Sequence, residues 1–303
     1  MEQIGLVSHE SGKRIDAWLA DKLGSYSRSY LQKLLDGGGV SVGGRKVKAS
    51  YKIRAGDIVA VDIPDPVRLD VAPEKIKLDI LYEDDDIVVV NKPKGMVVHP
   101  AHGNYSGTLV NALMEHCGGS LSDINGVIRP GIVHRIDKDT SGVIVAAKNN
   151  FAHERLSEKL KIHDIKRVYA ALVHGVVRNE RGTIDVPIGR NPGERKKMAV
   201  NVRDGRKAVT HFRVLERFKE ATYIEVTLET GRTHQIRVHM SYIGHPVIGD
   251  TVYGRRKDRH DINGQALHAR ILGFAHPVSG EYMEFEAELP GYFKNLMEQL
   301  QKN

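Results

Sequence analysis

The segment Gly131-Ile132-Val133-His134-Arg135-Ile136-Asp137-Lys138-Asp139-Thr140-Ser141-Gly142 holds a carboxylate placed to do chemistry. Asp137 lies between Arg135 and Lys138, and cationic neighbours favour the ionised form of an acid. The loop runs into the apolar residues 142–147, and loops held by rigid strands are where reactive side chains concentrate. Taken alone, the segment equally suits an Asx turn or cap. Asp137 or Asp139 would then accept backbone amides, and Thr140-Ser141-Gly142 would be ordinary turn chemistry.

A second polar run is Glu229-Thr230-Gly231-Arg232-Thr233-His234-Gln235-Ile236-Arg237-Val238-His239. Gly231 permits a sharp turn, Thr233 is placed to cap a helix over 233–243, and Arg232 can point into the pocket that this turn borders. His234 and Val238 fall on one face of that helix and His239 on another, which argues against joint metal ligation. The third run is Lys166–Gly175, a strand that puts Tyr169 and Ala171 on one face. Small alanines beside the ring leave room for a flat group, although a lone strand tyrosine is also an ordinary core or interface residue.

The elements that must carry these residues are mostly strands. Residues 87–90, 142–147, 168–173, 209–215 and 223–230 have strand patterns, against helical patterns at 108–116, 153–160 and 233–243. The strands do not alternate regularly with helices, so the expected class is α+β with a mixed, mainly antiparallel sheet.

Charge divides the chain further. The 303 residues carry 45 Lys/Arg and 38 Asp/Glu, a net +7 that points to an anionic partner. That charge is +4 over residues 1–60, −6 over 61–86 and +9 over 87–303. The acidic stretch contains Pro64, Pro66 and Pro73, and prolines favour extended chain. The expected organisation is a small domain at 1–62, a linker at 63–78 and a large domain at 79–303. In the small domain, Ile15, Trp18 and Leu19 mark one helix, and Ser27 is placed to cap a second one bearing Tyr30, Leu31, Leu34 and Leu35. Residues 40–42 and 58–61 read as strands. Its Arg14, Arg28, Lys33, Arg45, Lys46 and Lys48 form a candidate phosphate-neutralising surface, the alternative being a solvated face. One cysteine, Cys117, excludes an internal disulfide framework. No apolar run spans a bilayer and no secretory pattern opens the sequence, so a cytoplasmic protein is expected.

The order Arg14-Ile15-Asp16-Ala17-Trp18-Leu19, Ser27-Arg28, residues 39–44 and Ala55-Gly56-Asp57 resembles the RNA-binding domain first described in the small-subunit ribosomal protein S-four. Downstream, Asn91-Lys92-Pro93, residues 134–142, 166–175 and 231–239, Gly249-Asp250 with Tyr253-Gly254, and Leu267-His268-Ala269 with Phe274 and His276-Pro277 resemble the pseudouridine synthases of the RluA/RluD group. Ile136 stands where Leu is common, which leaves the polar positions intact.

That resemblance implies isomerisation of uridine to pseudouridine in structured RNA, most closely large-subunit ribosomal RNA, by a protein expected to be a monomer. The bond from the ribose anomeric carbon to ring nitrogen 1 breaks, and the base turns and rebonds through carbon 5. That carbon then loses a proton. There is no redox change, net hydrolysis or phosphoryl transfer, so neither a cofactor nor a metal is implied, in keeping with the missing Walker A and G-x-G-x-x-G motifs. A carboxylate suits attack on the anomeric carbon or removal of the 2′ proton, and both routes stay open. The resemblance makes Asp137 the essential carboxylate, Arg232 its ion-pair partner, Tyr169 the ring that stacks on the target base and Arg135 the filler of the gap left by a flipped uridine. Competing readings are a catalytically silent RNA clamp and, less well supported, a metal-dependent nuclease.

Overall fold

The helical spacing of Ile15, Trp18 and Leu19 buries all three on the helix Ile15–Lys22 in a computed structural model of the chain. The structure describes residues 2–24, 26, 28–63, 71–100, 103–123, 130–194, 197–255, 258–260 and 262–302. The chain divides into two units, Met1–Arg68 and Leu69–Asn303. In the first, the helices Ile15–Lys22 and Arg28–Asp36 cover a sheet ordered Glu2–Val7, Ile58–Ile63, Val40–Val42, Arg45–Lys46. Alternation in Ile58–Ile63 turns Val59, Val61 and Ile63 inward against Leu31, Leu34 and Leu35. The hairpin turn takes Gly43 and Gly44 through φ of 55° and 77°, which two glycines adopt without a Cβ penalty. Ser27, the expected cap of the second helix, lies outside the described residues.

The second unit is α+β. Its main sheet has nine strands among the described residues, eight of them in the order Ile80–Glu83, Ile87–Lys92, Ser141–Ala147, Leu267–Ala275, Lys166–His174, Ala221–Leu228, Val209–Arg217, Arg181–Asp185. The ninth, Tyr282–Glu286, also pairs with Leu267–Ala275. Leu267–Ala275 and Ser141–Ala147 run parallel, and every other pairing in the sheet is antiparallel. The central strands are apolar on both faces: all seven residues of Ser141–Ala147 are buried. At Gly142 the two parallel strands come so close that a Cβ would stand 2.1 Å from the Ala269 carbonyl oxygen. Only glycine fits there. Ala269 in turn pairs with Tyr169, so this contact helps hold the Asp137 loop near the tyrosine strand.

Two expectations need correction, and one element is new. Residues 71–78 are not a free linker: Val71 is buried with Val88, Val90 and Leu109, and the Asn111 side chain donates to the Ala72 carbonyl at 2.8 Å. Two apolar side chains, Val71 and Leu78, tether a stretch that charge and prolines made look unattached; residues 64–70 lie outside the description. The helix after Arg232 is Gln235–Tyr242, starting later than a Thr233 cap implies. Its N-cap is His234, in the left-handed region at φ 58° and without a side-chain cap. A closing helix, Gly291–Lys302, was not anticipated, although Phe293, Leu296 and Leu300 recur at helical spacing and are buried. No helix among the described residues is long and apolar enough to cross a membrane.

Candidate active site

The turn carrying Asp137 is closed by the Thr140 amide, which donates to the Asp137 carbonyl at 3.1 Å. The peptide closes the turn and leaves the carboxylate for another partner. Two side chains, one half-buried and one buried, pin the loop. His134 accepts the Val145 amide at Nε2 (3.1 Å), and burial, helped by the charge of Arg167, pushes this imidazole down to about 4. It is therefore neutral at neutral pH, as an acceptor must be. Lys92 donates from Nζ to the carbonyls of Pro93 and Met96, each at 2.8 Å, and of Lys138 at 3.1 Å. Burial pushes Lys92 down to about 7, while Asp139 and Asp137 pull the other way.

The carboxylate itself meets Arg237. Asp137 Oδ2 accepts from Arg237 Nη1 at 2.8 Å, and the rest of the guanidinium forks onto Asp250, Nε to Oδ2 at 2.6 Å and Nη2 to Oδ1 at 2.9 Å. Asp250 Oδ1 also accepts the amides of Val252 and Tyr253. Burial opposes the charge on both Arg237 and Asp250, but their mutual contacts raise the arginine and lower the acid. A planar fork with five donors can hold two carboxylates in one fixed plane, which a lysine cannot.

Arg232, the expected partner, is not in this pair. Its Nε donates to the Lys207 carbonyl at 2.9 Å, and its backbone amide donates to Gln235 Oε1 at 2.9 Å. The reason is the helix start: with Gln235 as the first residue, Arg237 falls in the first turn and is buried, while Arg232 stays in the preceding bend. Gln235 fixes that bend, since its Nε2 donates to the Val209 carbonyl and Thr210 Oγ1 while Oε1 accepts from Thr230. His239 is spent on structure, with Thr210 on Nδ1 and the Val186 carbonyl on Nε2.

Asp137, Arg135, Tyr169, Arg232, His234 and Arg237 line one cavity of about 60 Å³. That is room for about two waters. Arg135 is exposed and Tyr169 half-buried. Burial raises the Tyr169 phenol above its ordinary value; Arg167 opposes this and the charge of Asp137 adds to it. A larger groove, about 580 Å³, lies along Arg181, His211, Arg213 and Glu225. There Arg213 is on Glu225 and His211 on Glu229, and none of the candidate residues Asp137, Tyr169, Arg135 or Arg232 lines it. The smaller cavity is the one that brings the candidate residues together.

In the first unit, Asp16 is wholly buried and accepts from Arg14, Arg28 and Gln32. Burial pushes this acid up, but those hydrogen bonds outweigh it and hold it far below the usual carboxylate range. Arg14 and Arg28 are thereby fixed, with their side chains 49% and 52% exposed. Lys33, Arg45, Lys46 and Lys48 are exposed.

One group among the described residues, Asp84, Asp86 and His276, has ligand atoms within 4.8 Å of one another. His276 Nδ1 accepts the Ser279 amide at 3.1 Å, which puts the proton of the neutral ring on Nε2; that nitrogen lies 3.0 Å from Asp84 Oδ2, an ion-pair distance without hydrogen-bond alignment. A protonated nitrogen offers no lone pair, and Asp84 Oδ1 is taken by the amides of Asp86 and Ile87. The residues fit a loop clasp better than a metal centre.

Known proteins share this frame. The family model described as RNA pseudouridylate synthase matches residues 86–242, and that of the S4 domain matches residues 13–59. The uncharacterized RNA pseudouridine synthase YlyB of Bacillus subtilis is 56% identical, covering 100% of both chains. Ribosomal large subunit pseudouridine synthase D of Zymomonas mobilis is 49% identical over 95% of this chain and 94% of its own. Among solved structures, human RNA Pseudouridylate Synthase Domain Containing 1 superimposes with a TM-score of 0.59 at 26% identity, over 79% of this chain and 98% of that one.

Proposed function

The chain belongs to the RNA pseudouridylate synthase family, and on that premise we propose that it isomerises specific uridines of large-subunit ribosomal RNA, with Asp137 as the essential carboxylate. One observation carries the reading: Asp137 has one oxygen bound to a buried arginine and lines a cavity that also holds Tyr169 and Arg135. A carboxylate so held loses little orientation entropy on the way to the transition state.

Each residue then has a separate task. Asp137 acts at the ribose, by attack on the anomeric carbon or removal of the 2′ proton. Arg237 orients it. Tyr169 stacks on the extruded base; a phenol raised by burial is a poor base, which favours the ring as the working part. Arg135, exposed at the cavity, fills the gap left in the RNA, and extrusion costs a few kcal/mol, less from a loop than from a duplex. Arg232 also lines a neighbouring cradle with Arg190, Arg206, Thr233 and Asp204, three cations to one carboxylate, which suits a backbone phosphate beside the target. In the first unit, Arg14, Arg28, Lys33, Arg45, Lys46 and Lys48 hold folded RNA.

The ribosomal target is supported by relatives named for the large subunit, including the Zymomonas mobilis enzyme. Pseudouridine mapping of total RNA, in cells lacking the gene and complemented with wild type or Asp137→Asn, tests both parts. The expected result is loss of a few sites in large-subunit rRNA, restored by wild type alone. Loss confined to tRNA would overturn the target, and restoration by Asp137→Asn would overturn the carboxylate.

A further inference from the structure

Asp137 has a second oxygen, and the residue opposite it has no role in the reading above. His234 Nε2 stands 3.7 Å from Asp137 Oδ1, while Arg237 occupies Oδ2. On its other side, His234 Nδ1 lies 2.8 Å from the Tyr253 hydroxyl, and the two rings meet edge-on at 5.6 Å. That hydroxyl also accepts the Met198 amide at 2.9 Å. A phenol has one proton to give. With Met198 donating to it, the hydroxyl can give its own proton to Nδ1, and in that arrangement Nδ1 is bare. The imidazole proton is left on Nε2, facing Asp137.

The backbone gives independent support. Three non-glycine residues among those described have positive φ: His163, His234 and Asn263. His163 and Asn263 are exposed, while His234 is half-buried in the cavity. A left-handed histidine costs roughly 1 kcal/mol or more, and such strain gathers at functional sites where the fold over-determines it. Here the conformation keeps the ring between Tyr253 and Asp137.

We propose that His234 is a positioning residue for the reaction: its Nε2–H, set by Tyr253, closes onto Asp137 Oδ1 when RNA binds. The proposal rests on the reading of Asp137 as the reacting carboxylate. At 3.7 Å the contact is too long for a hydrogen bond, but such contacts commonly tighten only in the substrate complex. Burial lowers His234; Asp137 and Asp250 oppose this, while Arg237 and Arg135 add to it. The ring is therefore neutral at neutral pH, and its tautomer decides which nitrogen donates. With both oxygens held, the carboxylate would have one orientation toward the sugar.

Two measurements test this. In protein labelled with ¹⁵N-histidine, the imidazole resonances of His234, identified by their loss in His234→Gln, should show a bare Nδ1 and a protonated Nε2. A proton on Nδ1 would overturn the proposal, whatever any variant does. In single-turnover assays, His234→Ala should slow the step roughly 10- to 100-fold at saturating RNA, the loss of one hydrogen bond to a charge. RNA affinity should change by no more than about 2-fold, since the contact orients a carboxylate and not the RNA. His234→Gln, whose side-chain amide reaches as far as Nε2, should regain most of the rate. His234→Asn suits the left-handed backbone better but is too short, and should not. Rescue by Asn in place of Gln would mean the position matters only for its backbone. Full speed in His234→Ala with a dead Asp137→Asn would sink this proposal alone; turnover in Asp137→Asn would sink the reading beneath it.

Discussion

The two units each contain an arginine–aspartate assembly, and they are built in opposite senses. In the first unit one buried carboxylate, Asp16, holds two exposed guanidinium groups, Arg14 and Arg28. In the second, one buried guanidinium, Arg237 (6% exposed), holds two carboxylates: Asp250 is sealed in and Asp137, 18% exposed, reaches the cavity. The buried member fixes geometry in both, and the exposed member sets the chemistry. Cations turned outward suit a polyanion's backbone. A single carboxylate turned into a small cavity suits a reaction at one carbon.

Substitutions can break this comparison at several strengths. The largest effect belongs to Asp137→Asn, which keeps shape and loses charge. Turnover should fall by at least on the order of a thousand-fold while RNA affinity holds, as tritium release and filter binding would show. Asp250→Asn comes next. Breaking one side of a buried pair should cost about 3 kcal/mol in denaturant unfolding, with a fall in turnover because Arg237 loses its anchor. Asp16→Asn should weaken RNA binding by roughly 10-fold while leaving turnover at saturation intact, because two arginines lose their shared brace. Its salt dependence should stay close to wild type, since no cation is removed. Removing Arg14 and Arg28 together should instead lower the slope of log affinity against log salt by about 1 to 2.

The last effect concerns stability in acid. His134 in the folded protein sits near 4, below the ordinary 6.5 of an unfolded chain. Between these values the unfolded state binds more protons, so stability is whole above about pH 6.5 and declines as pH falls toward 4. The contribution is at most about 3 kcal/mol. Melts of His134→Gln should be lower at pH 7.5 but flatter across this window; an unchanged slope would remove His134 from the account.

What was legible in the sequence was local. Strand patterns around residues 87–90 and 142–147 gave the central sheet, because strands apolar on both faces leave plain runs. Asp137, Tyr169 and Arg135 were singled out by loop chemistry and by family resemblance, and they line one cavity. The partner of Asp137 was misread because the run from Gly231 to His239 contains two arginines, and choosing between them needs the helix start. The resemblance assigned Arg232; in the fold it is Arg237, the third residue of the helix that follows the left-handed His234, that reaches Asp137. One clue was available: an arginine between Ile236 and Val238 in a buried turn needs a carboxylate. Asp250 was present in a quoted motif without a task, for its contact with Arg237 exists only in three dimensions.

The central claim, that one buried arginine aims the reacting carboxylate, is tested most directly by comparing Arg237→Lys with Arg232→Lys in single-turnover assays. Both keep the charge and lose the fork. Arg237→Lys should lose roughly 100-fold or more in rate at saturating RNA with little change in affinity, and Arg232→Lys should keep its rate with weaker binding. The reverse pattern, with the rate lost at Arg232 and kept at Arg237, would contradict the account.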